Sequence, residues 1–163
     1  MLSNRVTEFG VTTASGATAS YPLISASPIA RSGLVARLGS RVISLESDGR
    51  GAYVHVFVDC KFLQPLNIGG QPYTFDLQNL RGNGTGVGCA AAQLVGYQAL
   101  DKGSGFTVTQ RTVQLSADGT KATSGTGSTV GVNLSSTDPR VKTAESVSCD
   151  SVTMTNGGVR EHQ

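Results

Sequence analysis

Residues able to carry chemistry are few in this chain. Its 163 residues include two histidines, His55 and His162, three cysteines, Cys60, Cys89 and Cys149, and eleven carboxylates. A serine or cysteine nucleophile needs an imidazole to take its proton. His162 stands next to the last residue, where a fixed geometry is hard to hold, so such a relay would have to use His55. That histidine lies inside the β-branched run Tyr53-Val-His-Val-Phe57 and reads as a packed strand residue rather than a general base. No Gly-x-Ser-x-Gly elbow and no phosphate-loop lysine accompany it. We assign no catalytic, cofactor-binding or metal-ligating residue from sequence, and read the chain as no enzyme.

The other constellations fail in similar ways. No two cysteines are close enough for a C-x-x-C, which removes the zinc-ribbon and thioredoxin readings. Small buried thiols are the first reading for Cys60, Cys89 and Cys149; a bridge between two of them is the alternative, with oxidising exposure as its condition. Gly86-x-Gly88-x-x-Ala91 has the spacing of a dinucleotide fingerprint, but no strand–helix–strand succession surrounds it. The run Gly82 to Gly88 therefore reads as a loop that lets another backbone, such as another subunit's, approach closely. Paired carboxylates from different strands would suit a glycosidase. The acids, however, cluster at turns, among them Asp48, Asp101, Asp118 and Asp138, and turn chemistry accounts for them. No Asp-x-Asp-x-Asp-Gly calcium loop occurs. Asn83-Gly84-Thr85 and Asn133-Leu134-Ser135 match the glycosylation acceptor, which matters only on a secretory route.

One local charge excess stands out. Arg31, Arg37, Arg41 and Arg50 are answered nearby only by Glu46 and Asp48. The first reading is a solvated strand face or a set of inter-subunit ion pairs; a phosphate or sulfated-glycan contact is the alternative. A formal net charge of +2 is far from a duplex-binding stripe, so nucleic acid is not the expected main partner.

The elements that must position these residues are strands. Charged residues make up 15% of the chain against an average near 25%, glycines number 21, and tryptophan is absent. Helix formers are scarce, while Val and Thr, suited to a pleated surface, are plentiful. Arg41 to Ser47 and Ala52 to Phe62 flank an Asp48-Gly49 turn and read as a hairpin. On its second strand Val54, Val56, Val58 and Cys60 form a core face, and Tyr53, His55, Phe57 and Asp59 an opposite face suited to a subunit contact. Gly105 to Leu115 leads into a second turn at Asp118-Gly119, followed by an exposed loop, Ala122 to Ser128, and a strand, Thr129 to Leu134. Further strands are predicted at Val6 to Thr13, Tyr21 to Ser25, Leu34 to Leu38, Pro72 to Leu77 and Val141 to Thr155, the last interrupted near Cys149. The alanine-rich stretch 89–100 admits a short helix or a strand.

These features predict one all-β domain over residues 1–163: an antiparallel β-sandwich, jelly roll or small barrel with at most one short helix near 89–100, an extended N-terminal segment and an ordered C-terminal tail. No run of eighteen apolar residues is present, so no membrane span is predicted. The start at Met1 lacks an apolar signal core, which disfavours export with cleavage. A small β domain with a charge-poor surface fits a structural subunit of a virus or phage particle, located in the virion. It would be a capsid, capsid-decorating or spike protein that self-associates or docks on a shell protein, with Tyr53, His55 and Phe57 at a subunit contact. An extracellular adhesin, pilin-like subunit or carbohydrate-binding module at the cell surface is the alternative.

Overall fold

Alternation of β-branched and small residues, broken by Asp-Gly and Gly turns, produces two antiparallel meanders in the computed structural model, which describes residues 8–23, 29–80 and 82–161. The expected strand ends at Val6 and Ser25, and His162 in the tail, lie outside the described residues. Strands β1 (Glu8–Thr12) and β2 (Thr18–Pro22) form a separate hairpin. The first meander runs through β3 (Ser32–Leu38), β4 (Arg41–Ser47), β5 (Gly51–Val58) and β6 (Lys61–Leu63), with β7 (Thr74–Asp76) pairing on β5. The second comprises β8 (Asn79–Leu80), β9 (Asn83–Ala90), β10 (Gln93–Asp101), β11 (Phe106–Leu115) and β12 (Ala122–Leu134). A single helical turn and a half, α1 (Pro139–Ala144), follows, then the short pair β13 (Ser148–Cys149) and β14 (Val152–Thr153). Finally β15 (Gly158–Arg160) returns to pair with β3 at the edge of the first sheet.

The two sheets face each other across one core. Leu34, Ile43, Leu45, Val54 and Val56 from the first meet Val87, Leu94, Val113 and Ala122 from the second. This is the all-β antiparallel fold predicted from sequence, and of the three architectures left open there the two facing sheets make a sandwich. A smaller cluster lies on the far side of the second sheet, where Val141 and Ala144 of α1 cover Ala99 and Val108. β11 serves both clusters, since Val108 faces α1 while Val113 faces the main core. No helix of the described residues is long and apolar enough to cross a membrane.

Three local expectations are corrected and one open choice is settled. The alanine-rich stretch 89–100 takes the strand alternative and not the helix: β9 and β10 pair along it, and Ala91 and Ala92 form the turn with φ of 49° and 58°. Alternating Val and Leu on both sides of that turn have a core to fill, and packing overrides alanine's helix propensity. Among the described residues the one helix instead occupies Pro139–Ala144, overlapping the start of the strand expected from Val141; Asp138 caps it and Pro139 begins it. Ala122 to Ser128 is strand rather than loop, because β11 supplies its ladder even though little there is buried. The long strand 52–62 breaks at Asp59 and Cys60, whose φ of 49° and 60° turn the chain so that Lys61 pairs back onto Val58.

From Asn83 onward the glycine run is strand, not loop, with Gly82 left in the preceding turn at a φ of 73°, and a backbone does approach the strand. A Cβ on Gly86 would lie 2.4 Å from the Ser146 carbonyl oxygen, and on Gly84 2.4 Å from the Glu145 side chain. The approaching backbone is the chain's own segment after α1, which bridges to β9 at Val87 and Val147. With strand continuing through this run into the Ala91-Ala92 turn, the fingerprint spacing has no helix N-terminus behind it.

Candidate functional site

The outer face of the first sheet gathers most of the residues singled out in the sequence. Register places Ser44 opposite His55, Glu46 opposite Tyr53 and Val42 opposite Phe57, with Gly33 beside Glu46. The β1–β2 hairpin closes over this face through two rings. Phe9 rests on Gly33, where a Cβ would meet its ring at 2.2 Å, and Tyr21 stacks on His55. Ser44 Oγ donates to the Tyr21 hydroxyl at 3.1 Å. The same hydroxyl is raised above its ordinary range, chiefly by burial.

His55 is therefore sealed by its own chain; it is 4% exposed and its Nδ1 has no hydrogen-bond partner. Burial lowers its pKa to about 4, which holds the ring neutral. Tyr53 and Phe57 flank it and are half-buried, Tyr53 donating to Asp48 Oδ2 at 3.4 Å and Phe57 meeting the edge of Phe62. Burial, then the neighbouring Asp48 charge, raises the Tyr53 hydroxyl. As a surface for a partner this triplet offers only Tyr53 and Phe57 while the hairpin is in place.

Glu46, under the same hairpin, is 2% exposed and its Oε2 lacks a partner. Burial pushes its carboxyl up to about 7; the Arg31 charge works against that shift and the Asp48 and Glu161 charges reinforce it. It borders a cavity of about 230 Å³ closed by Phe9, Leu23, Arg31 and Glu161.

The four arginines do not converge. Arg31 is buried and pairs with Glu161 at 3.1 Å, fastening β3 to the chain after β15. Arg37 is exposed on β3. Arg41, at the start of β4, donates to the Ser116 carbonyl at 2.7 Å and so ties the first sheet to the Asp118 turn. Arg50 lies beyond the other end of β4, in the turn that Asp48 Oδ1 organises by accepting from the Arg50 and Gly51 amides. The geometry makes structural ties of Arg31 and Arg41 and builds no four-arginine anion site.

Cys89 and Cys149 form a disulfide, joining β9 to β13, and Cys60 is free and exposed. The first reading, three buried thiols, is thereby replaced by the alternative. Cys89 is followed by a turn that reverses the strand, and Cys149 sits on the segment lying along β9, so the pairing follows from long-range placement that spacing does not reveal. Among the described residues no group of three or more His, Cys, Asp or Glu is arranged to hold a metal.

One feature of the fold has no counterpart in the sequence motifs. The inner face of the second sheet, where Gln98 and Arg111 are exposed, carries a groove of about 450 Å³ beside β7. Tyr73 and Phe75 make one wall, their rings edge to face with centroids 5.2 Å apart. Gln98, Thr109, Arg111 and Thr129 line the remainder, and the lining contains no carboxylate. The change of phase between Val108 and Val113 along β11 was the available signal: it marks where the inner face stops being core.

No protein-family model, curated protein or solved structure matches this chain.

Proposed function

We propose that the chain is a non-enzymatic structural subunit of a virus or phage particle, a capsid, capsid-decorating or spike protein, acting through self-association or docking on a shell. The observation that carries this reading is β12. It forms one edge of the second sheet, runs for 13 residues without a charged side chain, and buries only Ala122 and Leu134. Solvated edges are ordinarily defended by charge, especially lysine. A symmetric contact brings a patch against its own copy, where like charges repel; an uncharged strand meets its copy without that cost. Three register shifts between β11 and β12 bend the edge, which opposes open-ended strand addition and favours a closed contact made by side chains. Light scattering on the purified chain tests the reading: a defined oligomer at micromolar concentration supports it, and a strict monomer counts against self-association.

A second reading, an exported adhesin, pilin-like or carbohydrate-binding module, is favoured by the Cys89–Cys149 bridge, because disulfides persist in oxidising compartments. Mass measurement of the native chain without reductant discriminates: an intact bridge keeps this reading, and three free thiols remove its support.

A further inference from the structure

We propose that the groove beside β7 binds an acidic sugar residue, its carboxylate on Arg111 and its ring against Tyr73. The inference goes beyond the assembly reading and does not depend on it.

Shape comes from what the strands leave out. Register pairs Arg111 with Gly127 and Thr109 with Thr129, so these residues share the inner face of the second sheet. Gly127 contributes no side chain, and Arg111 Nη2 lies 3.9 Å from where its Cβ would be. The space so left is within the range of small-ligand sites, about 300–1,000 Å³. Tyr73 is fixed as a wall rather than free to swing: its hydroxyl shares a hydrogen bond with Ser124 Oγ at 2.7 Å and its ring packs on Phe75.

Chemistry narrows the occupant. Among the described residues the Arg111 guanidinium, unlike its backbone, makes no hydrogen bond or ion pair, and its planar fork matches a carboxylate bidentately. With no acid in the lining, an anion entering the groove meets no like charge. Gln98 Nε2 donates to Asn83 Oδ1 at 3.1 Å, which fixes the amide and leaves its oxygen and second N–H; these and the Thr129 hydroxyl donate and accept in the manner sugar hydroxyls require, and an aromatic wall suits the apolar C–H face of a pyranose. An extended peptide would be expected to add to the sheet edge, but the register shifts along β12 interrupt that ladder. Nucleic acid would need many phosphate contacts, and the groove holds one arginine.

The test is a titration of the isotope-labelled full chain, followed by amide shifts, with methyl glucuronide, with neutral methyl glucoside and with acetate. Saturable shifts centred on Gln98, Arg111 and Thr129, at least tenfold weaker with the glucoside and absent with acetate, are the expected result. Arg111→Gln should abolish the preference for the acid. Gly127→Val, which has room at its own Cβ, should fill the groove and abolish binding of both sugars with the rest of the spectrum unchanged. Absence of shifts at millimolar sugar, equal response to both sugars, or an equal response to acetate would each overturn the proposal. Light scattering on the same samples keeps the two readings apart: a monomeric chain that binds the glucuronide supports the groove and counts against self-association.

Discussion

The ring of Tyr21 lies on the ring of His55 with centroids 3.6 Å apart and planes 18° from parallel. One residue of a peripheral hairpin thus seals the only histidine inside a described strand. Tyr21→Ala should uncover His55 and Ser44, destabilise the fold by about 3 kcal/mol as large aromatic truncations do, and let the imidazole titrate upward from about 4 toward 6.5. Imidazole proton shifts against pH check this; a pKa that stays near 4 in the variant would show that the sheet, not the hairpin, desolvates the ring. Tyr21→Phe keeps the stack and loses only the partner of Ser44, a cost of about 1 kcal/mol.

Glu46 and His55 oppose each other in their pH dependence. Glu46 keeps its proton in the fold up to about pH 7 but loses it near 4.5 when unfolded, so its contribution is present below 4.5 and lost as pH rises to 7. His55 stays neutral in the fold down to about 4 but protonates near 6.5 when unfolded, so its contribution is present above 6.5 and lost as pH falls to 4. Each shift is worth about 3 kcal/mol at full extent, and between 4.5 and 6.5 the two slopes cancel. Urea midpoints should therefore be nearly flat across that interval. Glu46→Gln should make them climb with pH, and His55→Phe should make them fall. Flat profiles in both variants would mean that neither group is desolvated as its burial implies.

The disulfide closes a loop with a sequence separation of 60. Loop-closure entropy puts its stabilisation at about 4 kcal/mol. Reduction, or Cys89→Ala with Cys149→Ala, should lower the denaturant midpoint accordingly, whereas Cys60→Ser should leave it unchanged. Thiol titration of the folded chain should find a single reactive group, at Cys60; more than one would place the bridge elsewhere.

Gly86→Ala should cost about 2 kcal/mol through overpacking, since its Cβ would meet three backbone atoms of residues 144 and 146 within 2.8 Å. A fall in Tm of about 5 °C is expected. Gly127→Ala has no such obstacle and should be close to neutral; equal effects from both would refute the close approach.

What could be read from residues, and what could not, divides along range of contact. Asp48-Gly49 and Asp118-Gly119 announce their turns because the carboxylate and the positive φ are local. Val54 and Val56 announce a core face for the same reason, period two along one strand. The facing alternation of Tyr53, His55 and Phe57 was visible, but its cover was not: nothing in the sequence of β2 says that Tyr21 lands on His55. The strand 122–128 has the sequence of a loop because its Ser, Thr and Gly bury almost nothing and owe their order to β11. Arg111 drew no notice in sequence, since a lone arginine becomes part of a groove only when Gly127 and Tyr73 arrive from distant strands.

In the proposed assembly β12 meets another copy of this chain. The direct measurement is light scattering across a concentration series for the native chain and for Thr126→Lys, which puts a charge at an exposed position of that strand. A defined oligomer is expected for the native chain, and an apparent affinity at least tenfold weaker in the variant with an unchanged thermal transition. A native chain that stays monomeric, or an oligomer indifferent to the lysine, would contradict it.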